Sequence, residues 1–332
     1  MQIEGKRFLL TGGASMIGTR TTELLLARGA GEIVLFDNLS FDKPDGTVAA
    51  LCDTGRVRLV QGDVLDPAAL EQACEGIDGI FALAGFMSAG IAKDPALGLD
   101  VNIRGTHHVL QACVARKVSR LVFASSSAAY GYGAIRGAIR EDEPFHSDRV
   151  PAPPALYGAS KVVGEQLCHL YRAQHGLAFV ALRYSTVYGE RQHYRSTNAL
   201  YIIEAYDRVA RGEPPILYGD GAETKDFVYV GDVARANVLA MASDVAGEAF
   251  NISGGRELTT RYLAETVTRL AGASIAPEYR SAPTTGFRIT TEGPFHYDNA
   301  KAARVLGWQP EVSIEEGIAR MIAWRRSAPP AT

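Results

Sequence analysis

A chain of 332 residues with 47% hydrophobic side chains has ample core for one large or two modest domains. Its net charge of −3 leaves no basic footprint for nucleic acid, and no apolar run approaches the ~18 residues of a membrane span. Four scattered cysteines (Cys52, Cys74, Cys113, Cys168) without a Cys-x-x-Cys pair, and seven histidines without ligand spacing, argue against a metal centre or disulfide framework and suit a reducing cytoplasm.

The chain opens with a strand pattern rather than a signal peptide. The apolar run over 7–10 stops at Thr11-Gly12-Gly13, and a helical pattern follows over 16–28. Gly29 and Gly31 end that helix, as glycine does just past a helix terminus. A buried strand over 32–36 then closes on Asp37. This is a strand–glycine turn–helix–strand–acid unit of the length a dinucleotide needs. Gly12 and Gly18 let the backbone approach a pyrophosphate, which sits on the helix N-terminus at Met16 and Ile17. Ser15 stands where a third glycine is usual, so φ there must be negative, and its hydroxyl can donate to a phosphate. The Asp37 carboxylate accepts from ribose hydroxyls and repels a 2′-phosphate, which predicts NAD rather than NADP.

Strands over 57–60, 79–83, 119–124 and 178–182 alternate with helices over 67–75, 97–116 and 156–175. Such alternation predicts an α/β fold, a Rossmann-type doubly wound parallel sheet with helices on both faces. Asp63 and the Ala82–Gly85 run follow strands and fall at the carboxyl edge, where ligands bind in open α/β sheets. The adjacent His107 and His108 point to different sides of a helix and read as structural. After residue 185 the rhythm changes. Segment 225–252 reads as strand–helix–strand and is expected to rejoin the sheet of a 1–185 NAD-binding domain. Segments 186–224 and 253–332 then form the smaller, mainly C-terminal α/β substrate-binding domain. Its last helix opens on a capping box, Ser313-Ile314-Glu315-Glu316.

Tyr157 and Lys161 lie at i, i+4 on a helix and share a face. Bringing a phenol from about 10 to about 7 takes roughly 4 kcal/mol, which a nearby ammonium and a positive nicotinamide together supply. Spacing alone is weak evidence, because Tyr297 and Lys301 repeat it. The serine cluster discriminates: the apolar run Leu121–Ala124 ends in Ser125-Ser126-Ser127, where a substrate oxygen would be held beside the nicotinamide.

Together these residues resemble the extended short-chain dehydrogenase/reductase superfamily, in its NAD-dependent nucleotide-sugar epimerase/dehydratase branch. The matches run from Thr11–Gly18 through Asp37-Asn38-Leu39, Val101–Thr106, Tyr130-Gly131, Tyr157–Lys161, Leu182-Arg183-Tyr184, Val187-Tyr188-Gly189 and Asp226–Val230 to Leu306-Gly307-Trp308. The resemblance implies that Tyr157 is general base and acid. It implies that Lys161 holds the nicotinamide ribose and depresses the Tyr157 pKa. Ser126 takes the catalytic Ser/Thr position, with Ser127 the near alternative. Asp37 and Asn38 bind the adenosine ribose, and Asp63 with Val64 meets adenine. Ala82, Ala84 and Asn102 line the cofactor channel, which Ser125 and Tyr184 complete. Family members also pair two helices into a dimeric bundle. Here Val109, Leu110, Val114, Val162, Val163 and Leu167 predict a homodimer.

Family dehydratases carry an Asp-Glu pair where Ser127 and Ala128 stand, and the related decarboxylases place a glutamate there too. Alanine does no acid–base work, so elimination and decarboxylation are disfavoured. What remains is epimerisation of a nucleotide sugar at C4, or net oxidation of a sugar or other small alcohol. A non-catalytic NAD sensor is disfavoured by the intact Ser126, Tyr157 and Lys161. The substrate half departs further: Thr186 replaces asparagine, Glu190 replaces proline, and Lys225 replaces arginine and loses its bidentate fork. Of a later Arg-Pro-Gly-Asp only Arg288 remains. Thr186, Lys225 and Arg288, with Ser126, Ser127 and Tyr157, form the expected substrate set.

Overall fold

The computed structural model describes residues 1–41, 46–131, 137–147, 150–192, 200–281 and 296–327. The first half runs β1 (Arg7–Thr11), α1 (Met16–Ala27), β2 (Glu32–Asp37), α2 (Gly46–Cys52), β3 (Val57–Gln61), α3 (Pro67–Ala73), β4 (Gly79–Ala82), α4 (Ser88–Lys93) and α5 (Pro95–Leu99). A π-helical turn over Asp100–Gly105 leads straight into α6 (Thr106–Ala115). Then come β5 (Arg120–Ser126), a 3₁₀ turn over Ser127–Tyr130, β6 (Ala138–Ile139), α7 (Ala152–His175) and β7 (Ala178–Tyr184). The second half runs β8 (Thr186–Tyr188), α8 (Leu200–Ala210), β9 (Ile216–Tyr218), β10 (Thr224–Tyr229), α9 (Val230–Ala242), β11 (Glu248–Ile252) and β12 (Glu257–Thr259). It ends with α10 (Thr260–Leu270), β13 (Glu278–Arg280), β14 (His296–Tyr297), α11 (Ala300–Leu306) and α12 (Ile314–Ser327).

Seven parallel strands form the main sheet in the order β11-β7-β5-β4-β1-β2-β3. Its strands are apolar runs because both faces are covered. Along β1, Phe8 and Leu10 face one core layer and Leu9 the other; along β2, Ile33 and Leu35 oppose Val34 and Phe36. Helices α1 and α9 cover the first layer, and α3, α6 and α7 the second. The strand order reverses direction at β1 and β4. Their carboxyl ends open a crevice at this switch point, the place where such sheets bind ligands.

One expectation is corrected. Of segment 225–252, only β11 joins the main sheet; β10 instead pairs with β8 and β12 in a three-stranded sheet. The helix expected over 97–116 is continuous but carries a π-helical turn over Asp100–Gly105. In that turn the Asn102 side chain bonds the backbone of Phe86 on both its N–H and its C=O. The capping box is half formed: the Ser313 hydroxyl accepts from Glu316 N at 3.2 Å, while the Glu316 carboxylate turns to Arg320. Among the described residues no helix is long and apolar enough to cross a membrane.

Candidate active site

The glycine loop joins β1 to α1 with Gly12 at φ 66°, a left-handed conformation that favours glycine. A Cβ on Gly12 would stand 3.0 Å from the Ala84 nitrogen, so only glycine keeps this floor of the crevice open. Ser15 has φ −69° and caps α1, its hydroxyl accepting from Gly18 N at 3.2 Å. That satisfies the conformational condition set by its Cβ. Met16 and Ile17 begin the helix and pack on the core. One end of the crevice is lined by Gly12, Ser15, Asp37, Asn38, Asp63 and Val64. The Asp37 carboxylate accepts from Ala14 N at 3.0 Å and from Leu39 N at 2.8 Å. Asn38 donates to Asp63 at 2.9 Å, so the two polar residues expected around adenosine hold each other. These donors, acceptors and the glycine floor fit a dinucleotide.

Two aromatic residues were missed by the sequence reading. Phe41 and Phe86 line the same crevice and meet edge-on with centroids 5.2 Å apart. No local pattern marks them, because they come from separate loops. Arg191 was also missed. It reaches back from beyond β8 to donate to Ala14 O at 3.2 Å, to Ser15 O at 3.4 Å and to the Thr19 hydroxyl.

At the other end, Tyr157 and Lys161 project from the first turns of α7. The helix approaches the 3₁₀ turn so closely that a Cβ on Gly158 would lie 2.2 Å from the Ala128 carbonyl oxygen. Glycine after Tyr157 is therefore what brings the tyrosine to Ser126. The Ser126 side chain stands close enough to the Tyr157 phenol to favour its ionised form, and its hydroxyl accepts from Ala128 N at 3.1 Å. Ser127, the alternative, is buried in the turn. Lys161 donates to Ala124 O at 2.8 Å, and its ammonium lies 5.8 Å from the centre of the Tyr157 ring. Asn102 bonds Ser160 at 3.0 Å, and Ser160 bonds Tyr157 O at 2.7 Å. Asn102 thus ties the loop after β4 to the catalytic helix. Ala82 ends β4, and Ala84 N donates to the Thr11 hydroxyl at 3.3 Å.

The electrostatics depart from expectation. Dense surroundings push the Tyr157 phenol above its ordinary value, and the nearby Ser126 side chain only partly opposes this. Burial likewise pushes Lys161 down to about 8, against the opposing pull of Glu165. The protein alone therefore does not depress Tyr157, because desolvating a phenolate outweighs what Ser126 contributes.

Two members of the expected cofactor set turn elsewhere. Ser125 donates to Glu165 at 2.5 Å, because successive strand residues face opposite sides and Ser126 takes the cleft side. Tyr184 donates to Asn237 at 2.5 Å, and Asn237 in turn bonds Thr21 on α1. Thr186 and Lys225 lie on the adjacent strands β8 and β10. Lys225 pairs with Glu223 at 3.2 Å and stands over the Tyr201 ring. Arg288 lies outside the described residues.

A sequence profile of the NAD dependent epimerase/dehydratase family matches residues 8–253. The chain belongs to that family. It is 31% identical to the UDP-glucose 4-epimerase of Mycolicibacterium smegmatis, over 97% of this chain and 99% of the relative. Among solved structures it resembles the UDP-glucose 4-epimerase of Thermotoga maritima with UDP-glucose, at TM-score 0.85 and 29% identity over 97% of this chain and 99% of that one. It also resembles a double mutant of the dTDP-glucose 4,6-dehydratase of Streptomyces venezuelae with NAD bound, at TM-score 0.83 and 30% identity over 96% and 97% of the two chains. NAD is the family's cofactor, and the Thermotoga relative is solved with a nucleotide sugar.

Proposed function

We propose that the chain epimerises a nucleotide sugar at C4 through a transient ketone, with residues 1–185 holding NAD and 186–224 with 253–332 forming the substrate side. The observation that carries this reading is the pairing of Ser126 with Tyr157 beside an acid-free turn. Ala128, where dehydratase relatives place a carboxyl, is apolar and 1% exposed. The residues present therefore support proton transfer at one oxygen and no elimination.

Gly12 and Ser15–Gly18 take the pyrophosphate, Asp37 and Asn38 the adenosine ribose, and Asp63 with Val64 the adenine. Lys161 holds the nicotinamide ribose. Bound NAD supplies reversible hydride acceptance and a positive ring beside the phenol. Tyr157 takes the proton of the C4 hydroxyl and later returns it. Ser126 holds O4 throughout, so the sugar can present either face while its oxygen stays in place. The free cysteines fit a reducing cytoplasm.

A panel of UDP- and dTDP-sugars deuterated at C4, followed by NMR, tests the reading. The expected product is inverted at C4 and retains its label. Label lost to external NAD with accumulation of a keto sugar makes the chain a net dehydrogenase instead.

A further inference from the structure

Beneath Ser126 lies a buried charged pair with no part in the chemistry above. Glu165, one turn beyond Lys161 on α7, is 5% exposed. Arg183, on β7, grips it with two bonds, Nε at 2.9 Å and Nη2 at 2.6 Å. Such fork-to-carboxylate geometry fixes both partners. Glu165 also accepts the Ser125 hydroxyl at 2.5 Å, and Ser125 is the register partner of Arg183 across β5 and β7. Meanwhile Lys161 donates to Ala124 O. Two residues one helical turn apart thus pin two consecutive residues at the end of β5, immediately before Ser126.

We propose that the Glu165–Arg183 pair is a positioning element of this site, one that clamps the end of β5 under Ser126 and presents a carboxylate to the Lys161 ammonium. The proposal rests on the assignment of Tyr157 and Lys161 as the reacting pair. Its electrostatic half follows from what faces Lys161. From α7 come Tyr157 and Glu165; Arg183 on β7 and Tyr130 in the 3₁₀ turn lie behind Glu165. The Tyr130 ring lies under the Arg183 guanidinium at 4.7 Å, and Tyr130 donates to Asn251. Glu141 accepts from Arg183 through its backbone carbonyl and from Asn251 N through its carboxylate. From the π turn comes neutral Asn102, while Asp100 and Arg104 pair with each other on the exposed side. From α6, His107 meets Tyr171, farther along α7, edge-on. From α4, Lys93 sits in the exposed last turn. Glu165 is the charge that raises Lys161, against burial. A cation buried beside no carboxylate sheds its proton, and a neutral Lys161 gives the Tyr157 phenolate no support.

The test is the titration of Lys161 in the NAD-free protein carrying lysine labelled with ¹³C at Cε, with the resonance assigned by its loss in Lys161→Met. Glu165→Gln keeps the shape but leaves Arg183 uncompensated, and should move the titration down by roughly one to three pH units. The double variant Glu165→Gln/Arg183→Met removes both charges, and should move it down by less. The double variant also keeps the test alive if the single one fails to fold. Glu165→Asp, which keeps the charge, should restore most of the shift. With NAD bound, the alkaline limb of kcat should move in step. A titration unmoved in both folded variants overturns the proposal. Because it is read without NAD or sugar, this result stands apart from the fate of the epimerase reading, which Tyr157→Phe and the labelled sugars decide.

Discussion

Tyr157 and Tyr297 share the spacing Tyr-x-x-x-Lys and differ in everything around it. Lys301 is committed to Glu248 at 2.7 Å and Ala249 O at 2.8 Å, and the Tyr297 ring stacks on Tyr130 with centroids 6.0 Å apart. Tyr157 instead stands beside Ser126, with the Lys161 ammonium 5.8 Å from the centre of its ring. Tyr157→Phe should leave NAD binding intact and lower turnover by about 10²–10⁴-fold, the usual contribution of an acid–base group. Tyr297→Phe should leave the chemical step nearly unchanged. Single-turnover rates with pre-bound NAD distinguish them, and the reverse ranking sinks the assignment. The choice between the two tyrosines was legible in the sequence because a strand ending in serines precedes only one. The partners of Ser125 and Tyr184 were not. Which side of a strand end faces the cleft depends on neighbours such as Glu165 and Asn237, which lie 40 and 53 residues away in the chain.

At the scale of elements, strands buried on both faces announce themselves as apolar runs, so the six predicted strands are present with shifted ends. The π turn at Asp100–Gly105 was illegible, since the bonds from Asn102 to Phe86 that accompany it are tertiary. The same holds for β10, whose sequence suits either sheet and whose place is fixed by Asp226. Its buried carboxylate accepts from Gly254 N at 2.8 Å and from Arg256 N at 3.2 Å, which fastens the loop between β11 and β12. Burial outweighs these bonds and pushes Asp226 up to about 6. The folded state therefore holds this proton more tightly than the unfolded chain, whose aspartate titrates near 3.9. Its stabilising contribution is full below the unfolded value and is lost as pH rises through about 6. Denaturant unfolding at pH 4.5 and 7.5 should show this as about 2 kcal/mol of relative stability favouring the lower pH, once referenced to Asp226→Asn. Equal pH slopes in the two proteins contradict it.

For the whole molecule, the outer face of α7 carries Leu156, Val163 and Leu170, which are 40%, 38% and 46% exposed. Their seven-residue spacing aligns them on one stripe. Of the positions expected to pair two copies, Val109 and Leu110 are instead core residues, while Val163 lies on this stripe. We propose that two copies associate through it, because an aligned apolar stripe is poorly placed in water. Light scattering at micromolar concentration should give a dimer, and Val163→Asp with Leu170→Asp a monomer that still binds NAD. A monomeric wild type rules the dimer out.

The grip of Arg191 on the glycine loop has a bearing on how this protein is made. Its three bonds to Ala14, Ser15 and Thr19 span 177, 176 and 172 residues of chain. Asn237 reaches Thr21 across 216 residues in the same way. Closing such separations is the slow part of folding, since chain entropy is lost before the contacts repay it. The β1–α1 turn leaves a ribosome well before Arg191 does, yet its final shape waits for that later part of the polypeptide. A growing chain would then carry its strands well before it gained affinity for a dinucleotide, and cofactor capture would mark completion of the molecule rather than seed it.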